Sequence, residues 1–326
     1  MSQLVTIFGG SGFLGRYIAR RMAQAGWRVR VATRRPNEAM FVRAYGAVGQ
    51  VEPVFCNIRD DASVRAALHG AQAVVNCVGV LSETGKNTFA AVQNEGAARI
   101  ARIAAEQGVA RMVHVSAIGA DSESESAYAR TKAAGEAAVR DAMLQAVILR
   151  PSIIFGSEDA FFNRFAGMTR LSPILPVVGA ETLFQPVWVD DVAQAAVMGV
   201  TGQAAPGIYE LGGPDVKSFR DLMTLMLDVI RRRRLVVNLP FALAGFMAKL
   251  FGFGQALSFG LIPAPITTDQ VANLRVNNVV AESAQGFAAL DITPTAMEAV
   301  LPDYLWRFRP SGQYSAIKES ARNLRN

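Results

Sequence analysis

The sequence predicts an α/β fold, a doubly wound parallel sheet with a second, smaller, discontinuous domain. Three observations carry this reading. Short apolar runs rich in Val and Ile alternate with stretches whose apolar residues recur at helical spacing. A glycine-punctuated turn, Gly9-Gly10-Ser11-Gly12-Phe13-Leu14-Gly15, joins the first run to the first helical stretch. After Pro151 the alternation loosens into Gly/Pro-punctuated segments and returns once, at Val187 to Gly212. Strands that read as continuous apolar runs are buried on both faces, the situation that helices on both sides of a parallel sheet create.

In chain order, Leu4 to Phe8 is the first strand, and Phe13, Leu14, Tyr17, Ile18, Met22 and Ala25 are the apolar stripe of the helix after it. Val29 to Thr33, Val51 to Cys56 and Ala73 to Val78 are the next three strands. Ala97, Ile100, Ala101 and Ala104 mark a helix, Arg111 to Ser116 the fifth strand, and Ala146 to Leu149 the sixth. A helix carrying Tyr128 and Lys132 runs to Val139 between those two strands. Ser122-Glu123-Ser124-Glu125-Ser126 reads as a solvated acidic connection. The return at Val187 groups residues 1–156 with 187–215 in the larger unit, and leaves 157–186 and 216–326 for a smaller one that docks a partner.

Composition excludes disorder and fibrous repeats: of 326 residues, 51% are hydrophobic and 18% charged. Cys56 and Cys77 sit in apolar runs and no Cys/His cluster has ligand spacing near His69 or His114, so no metal site and a reducing compartment are expected. Net charge is +6, and residues 216–326 hold 13 Lys/Arg against 8 Asp/Glu, so +5 of the surplus belongs to the C-terminal third. That balance permits contact with nucleic acid, anionic lipid or an acidic protein and selects none of them. No signal peptide is expected, because a strand begins at Leu4. Leu235 to Ile266 contains one charge, Lys249, and follows Arg231 to Arg234. Pro240, Lys249, Gly252 and Gly254 divide it into pieces of 14 and 17 residues, too short to span a bilayer. It reads either as an amphipathic segment on an anionic membrane or a membrane-embedded partner, or as the apolar lid of the smaller unit.

Gly9, Gly12 and Gly15 lie at three-residue spacing inside a strand–loop–helix–strand unit, the Rossmann arrangement for a dinucleotide. The first glycine permits the tight turn, the second lets backbone N–H groups approach a pyrophosphate, and the third lets helix pack on strand. The second strand ends in Arg34-Arg35 where an acid would hold ribose hydroxyls. Two guanidiniums suit a 2′-phosphate, so the cofactor is expected to be NADP(H). Asn57 and Ile58 after the third strand border the adenine, and Cys77, Val78 and Gly79 after the fourth let the cofactor backbone pass. Ser116 ends the fifth strand, and Tyr128 and Lys132 share a helix face at i, i+4. An ammonium beside the phenol is expected to lower the Tyr128 pKa toward proton transfer, with Ser116 orienting a carbonyl or hydroxyl.

Gly9-x-x-Gly12-x-x-Gly15, Ser116, Tyr128-x-x-x-Lys132 and Arg150-Pro151-Ser152-Ile153-Ile154-Phe155-Gly156 together resemble the extended and atypical short-chain dehydrogenase/reductase superfamily over roughly residues 1–215. The strings at Lys132–Glu136, Arg150–Asp159, Pro186–Asp191 and Pro302–Gln313 more narrowly resemble the Rossmann-fold accessory subunits of respiratory complex I, NADH:ubiquinone oxidoreductase. That resemblance implies a tightly held NADP(H) in a subunit without turnover, with Phe13, Leu14, Pro151, Ile153 and Ile154 added to the cofactor-binding set. It implies other complex I subunits as partners, at the junction of peripheral and membrane arms near the quinone site, with an anionic lipid surface as a further partner and no nucleic acid. The implied location is peripheral, on the cytoplasmic face of a bacterial inner membrane. The set Ser116, Tyr128 and Lys132 is intact, which keeps an NADP-dependent reductase or epimerase as the alternative; a dinucleotide-sensing transcription regulator would not need the Tyr/Lys pair.

Overall fold

The computed structural model describes residues 3–257 and 267–314. In chain order the strands are β1 (Leu4–Phe8), β2 (Arg28–Thr33), β3 (Val51–Phe55), β4 (Ala73–Asn76), β5 (Arg111–Val115), β6 (Val147–Pro151) and β7 (Ile154–Phe155). They continue as β8 (Ile174–Val178), β9 (Leu183–Phe184), β10 (Val187–Trp188), β11 (Gly207–Leu211), β12 (Lys217–Ser218) and β13 (Leu235–Leu239). The α-helices are α1 (Phe13–Gln24), α2 (Asp61–Leu68), α3 (Glu95–Glu106), α4 (Ala127–Ala142), α5 (Phe162–Met168), α6 (Val189–Thr201), α7 (Phe219–Ile230), α8 (Phe241–Leu257), α9 (Thr268–Asn273) and α10 (Met297–Leu305).

Seven parallel strands form one sheet in the order β11-β6-β5-β4-β1-β2-β3. Chain direction across the sheet reverses between β1 and β4, and the loops leaving their carboxyl ends diverge there into a crevice. Side chains alternate between two cores. Val113 and Val115 of β5 pack toward α1 and α6, whereas Met112 packs with α2, α3 and α4. This double cover explains why each strand reads as an unbroken apolar run.

A separate core gathers Phe155, Phe162, Leu175, Phe184, Phe219 and Leu301 under α5, α7 and α10, beside the two-stranded sheets β8–β13 and β9–β12. Two local expectations change, at residues 287–292 and at Ser126, and the apolar stretch after Pro240 proves to hold one long helix. Phe287, Leu290 and Ile292, placed with the smaller unit on sequence, pack in the large core, and Glu210 N of β11 donates to Gln285 O (2.8 Å). Lys249, Gly252 and Gly254 interrupt the apolar run but not the helix, since α8 continues through all three. Ser126 is buried rather than solvated, because its Oγ caps α4 by accepting from Ala129 N (3.2 Å). Residues 258–266 of the apolar stretch lie outside the described residues.

Candidate functional site

The carboxyl ends of the parallel strands place the predicted residues along one edge: Gly9 to Gly15 after β1, Arg34 and Arg35 after β2, Asn57 and Ile58 after β3, Cys77 to Gly79 after β4, Ser116 after β5, and Ile153 to Ile154 after β6. The loop after β1 is tightly built. Gly9, at φ 75°, occupies the left-handed region, its N–H donates to Ala32 O (3.1 Å), and Gly12 N donates back to Gly9 O (2.9 Å). A Cβ on Gly15 would stand 2.3 Å from Gly9 O and 2.7 Å from Gly10 Cα, so only glycine lets α1 start against the turn. Gly12 is the N-cap of α1, which has neither a side-chain cap nor an acid in its first turn. Its leading N–H groups and the positive end of its dipole are thus left for an anion. Phe13 lies against Gly156, where an added Cβ would come 3.3 Å from its ring, and Leu14 is buried in the core. Arg16, which sequence reasoning missed, braces the loop from outside: Nη2 donates to Ser11 O (3.2 Å), Nε to Gly12 O (3.3 Å), and Nη1 pairs with Glu158 (3.3 Å).

Both arginines after β2 are exposed. Arg34 donates to Asn87 Oδ1 (3.2 Å), and Arg35 pairs with Glu38 (3.1 Å). Asn57 Oδ1 accepts from Arg59 N (3.2 Å) and so shapes its own turn, while Ile58 packs on the α2–α3 side. At the other end of the crevice, Asn76 Oδ1 accepts from Val78 N (3.1 Å), which leaves Nδ2 to donate to His114 Nδ1 (3.1 Å). The proton of neutral His114 is therefore assigned to Nε2. Burial, aided by Lys132, pushes the His114 pKa down to about 3. Burial pushes the Cys77 thiol up to about 12, which fits packing rather than chemistry.

Ser116 is 4% exposed, and its Oγ has no hydrogen-bond partner among the described residues. An unsatisfied buried hydroxyl at a strand end, on the same carboxyl edge as the glycine loop and two strands from it, fits a site whose ligand supplies the missing partner. Lys132 Nζ donates to Val115 O (3.1 Å), and a Cβ on Gly79 would stand 3.4 Å from it. Burial lowers the Lys132 pKa to about 8 against the opposing pull of Glu136 and Cys77. Tyr128 is half-buried, its ring edge-on to Phe89 at 5.8 Å between centroids. Here the sequence expectation is reversed. Burial, with Asp269 adding to it, pushes the Tyr128 pKa up to about 12; the Lys132 ammonium lies over the ring face, 5.9 Å from its centroid, and does not offset the rise.

The frame around this pair is long-range. Asp269 of α9 accepts from Ala127 N (2.7 Å) and Ser126 Oγ (3.0 Å), capping α4 just before Tyr128. Glu136 takes a bidentate pair from Arg150 of β6 (2.9 and 2.7 Å), whose Nη1 also reaches Glu210 of β11 (3.3 Å). Gln93, in the π-type turn Ala90–Asn94, donates to Val80 O (2.7 Å) and accepts from Thr131 Oγ1 (3.1 Å). Such wide turns recur at functional sites. Gly135 is what lets α4 pass this turn, since a Cβ there would lie 2.2 Å from Gln93 O. Among the described residues no helix is long and apolar enough to cross a membrane.

Residues 5–212 match the model of the NAD dependent epimerase/dehydratase family. The mitochondrial NADH dehydrogenase (ubiquinone) 1 alpha subcomplex subunit 9 of Arabidopsis thaliana is 34% identical over 316 residues, 95% of this chain and 79% of that protein. A ceramide reductase of Caulobacter vibrioides is 31% identical over 239 residues, 73% of this chain and 74% of its own. In structure, the Bordetella bronchiseptica enzyme WbmH, solved with NAD+, superposes with a TM-score of 0.68 at 17% identity over 96% of this chain and all of its own (100%), a likeness of fold. The glycine loop, the crevice at the strand reversal and these matches agree: the chain belongs to the NAD dependent epimerase/dehydratase family, whose Rossmann fold binds NAD(P), and within it to the relatives of the alpha subcomplex subunit 9.

Proposed function

We propose that this chain is an NADP(H)-binding accessory subunit of respiratory complex I, with a structural and assembly role and no turnover of its own. The observation that carries the reading is the 34% identity to the plant subunit, sustained over 95% of the chain and so including the C-terminal third that a sugar-modifying enzyme would give to substrate. Its place is at the junction of the peripheral and membrane arms, near the quinone site, on the cytoplasmic face of a bacterial inner membrane and in reach of anionic lipid. NADP(H), when bound, would supply hydride chemistry; Gly9, Gly12 and the first turn of α1 would hold its pyrophosphate, and Arg34 and Arg35 its 2′-phosphate. A phenol pushed up to about 12 is a poor proton donor at neutral pH, which supports a scaffold. Replacing Arg34 and Arg35 together with Ala is expected to weaken NADPH binding by at least tenfold, since each charge-assisted contact contributes about 1.5–3 kcal/mol, and to leave NADH binding unchanged. Equal affinity of the unaltered protein for the two dinucleotides, or its failure to co-purify with NADH:ubiquinone oxidoreductase, overturns the proposal.

The second reading, an NADP-dependent reductase or epimerase, is favoured by three observations. Ser116, Tyr128 and Lys132 are intact, with Ser116 Oγ unsatisfied, and the relative from Caulobacter is named a reductase. Carbonyl-dependent NADPH oxidation that Tyr128→Phe abolishes would establish it.

A further inference from the structure

Ile174 and Leu235, the first residues of β8 and β13, are register partners. Both face solvent, 46% and 64% exposed, beside Leu171 at 93%. Three arginines flank this strip in the chain: Arg170 precedes Leu171, and Arg232 and Arg234 precede Leu235. Arg170, just past α5, donates from Nη2 to Arg307 O (2.7 Å) and lies 4.8 Å from the centroid of the Phe308 ring. Arg232 donates from Nε to Phe308 O (2.8 Å), and Arg234 from Nε to Thr169 O (3.0 Å). All three are therefore anchored to two short backbone stretches, 169–170 and 307–308. Their proximity shows in Arg232, whose pKa is held below the ordinary arginine value by burial and then by Arg234 and Arg170. Among the described residues, none of the three has an acidic partner; carbonyl oxygens and an arene take their contacts instead.

Like charges gathered with no counter-charge among the described residues repel one another, so the arrangement makes physical sense when something anionic covers it. The geometry discriminates between occupants. A lipid surface attracts any mobile cation and is served by flexible lysines. Here Arg170, Arg232 and Arg234 each have a guanidinium N–H on a backbone carbonyl, which pre-aims their remaining N–H edges at planar carboxylates and reduces the entropy lost on docking. Exposed Leu and Ile at the centre with arginine at the rim is the composition of a protein interface.

We propose that the face made by Arg170, Arg232 and Arg234 around Leu171, Ile174 and Leu235 docks a segment of another protein subunit that presents carboxylates flanking apolar side chains. This rests on the reading of the chain as a complex I subunit. The test uses the full chain in its own cells, with p-benzoylphenylalanine in place of Leu171, irradiation, and purification of NADH:ubiquinone oxidoreductase through a different subunit. The expected result is one cross-linked peptide from another subunit, carrying at least two Asp or Glu residues. Arg232→Glu with Arg234→Glu is expected to cut retention in the complex at least tenfold, and the corresponding Lys pair to cut it less, because charge is kept and the fork is lost. Leu171→Asp, at a position too exposed to disturb folding, is expected to cut retention as well. Unchanged NADPH affinity of each variant shows that it is folded. Retention equal to that of the unaltered chain, a cross-link to lipid alone, or arginine-dependent flotation with phosphatidylglycerol vesicles alongside full retention overturns the docking proposal and leaves the complex I reading standing. Failure of the unaltered chain to co-purify overturns that reading instead.

Discussion

Gly15 offers a measurement in which local propensity and tertiary packing demand opposite signs. Exchanging a helical glycine for alanine ordinarily stabilises a protein by about 0.5–1 kcal/mol, because the unfolded chain loses freedom. At Gly15 the new methyl would sit 2.3 Å from Gly9 O and 2.7 Å from Gly10 Cα. Both obstacles are backbone, and the turn that contains them is tied down by Gly9 N to Ala32 O (3.1 Å) and Gly12 N to Gly9 O (2.9 Å). Relief requires the loop to withdraw by about 1 Å, a displacement that carries a hydrogen bond out of its range. Overpacking of this kind costs about 1–3 kcal/mol, so the net expectation for Gly15→Ala is a loss of about 1–2 kcal/mol. Because the same loop positions the uncapped N–H groups that open α1 and are left for an anion, NADPH affinity should fall at least tenfold. Gly245→Ala in α8 is the internal control: its methyl would meet nothing within 4 Å, so it should gain about 0.5–1 kcal/mol. Urea unfolding at fixed pH measures the first quantity, and NADPH fluorescence titration the second. A Gly15→Ala protein that gains stability as Gly245→Ala does, with unaltered affinity, would refute the packing argument.

The remaining predictions concern α4. Between about pH 8 and 10.5 the unfolded chain holds a proton on Lys132 that the folded chain has released, so the stability governed by this side chain rises with pH across that window. Its burial penalty, on the order of 3 kcal/mol for a shift of this size, is fully present below that window. Lys132→Met should therefore raise the urea midpoint at pH 7 and lose most of that advantage by pH 10; an equal gain at both would contradict the assignment. Arg150→Met leaves the Glu136 carboxylate, whose side chain is 5% exposed, without its bidentate partner and should cost about 3 kcal/mol, recovered in large part by adding Glu136→Leu; no recovery would mean that the pair is not the cause. Asp269→Asn should lower the Tyr128 pKa, read by ultraviolet titration of the phenol, because Asp269 is one of the two causes that raise it; a value unmoved would discount the contact across 142 residues of chain. Tyr128→Phe should leave complex assembly and NADH:quinone turnover close to normal, and collapse of turnover in an assembled complex would overturn the scaffold reading.

What could be read before folding was local. The glycine spacing, the unbroken apolar strands and the i, i+4 pair of Tyr128 and Lys132 each depend on residues within one or two turns of one another, and each lies where that spacing puts it. What could not be read is set at a distance. Nothing near Tyr128 in sequence announces that Asp269 will cap its helix, or that Ser126, in an acidic string that looks solvated, will be buried by that contact. The direction of the Tyr128 shift was hidden for the same reason: spacing places a cation near the ring, but burial and the α9 carboxylate decide the sign. Residues 287–292 carry too short an apolar pattern to say which core they join. In α8 the hydropathy pattern and the backbone answer different questions, since lysine and glycine interrupt the first and are tolerated by the second.

These long-range contacts bear on why a crevice of this kind can serve a scaffold. The helix carrying Tyr128 and Lys132 is held at its start by Asp269 and along its length by Glu136, through Arg150, to Glu210. Glu210 in turn accepts from Ala281 N (3.0 Å), so the segment after α9 closes a circuit back to α4. On the other flank, Arg16 ties the dinucleotide loop to Glu158, in the connection that leads into the Phe162 core. A dinucleotide lying across the carboxyl edge thus touches elements fixed to both cores, and its binding free energy adds to the stability of the whole arrangement. Ligand at a hundred times its dissociation constant contributes about 2.7 kcal/mol by mass action. That stabilisation requires affinity alone and no proton transfer, so it would operate whether or not Tyr128 serves as an acid.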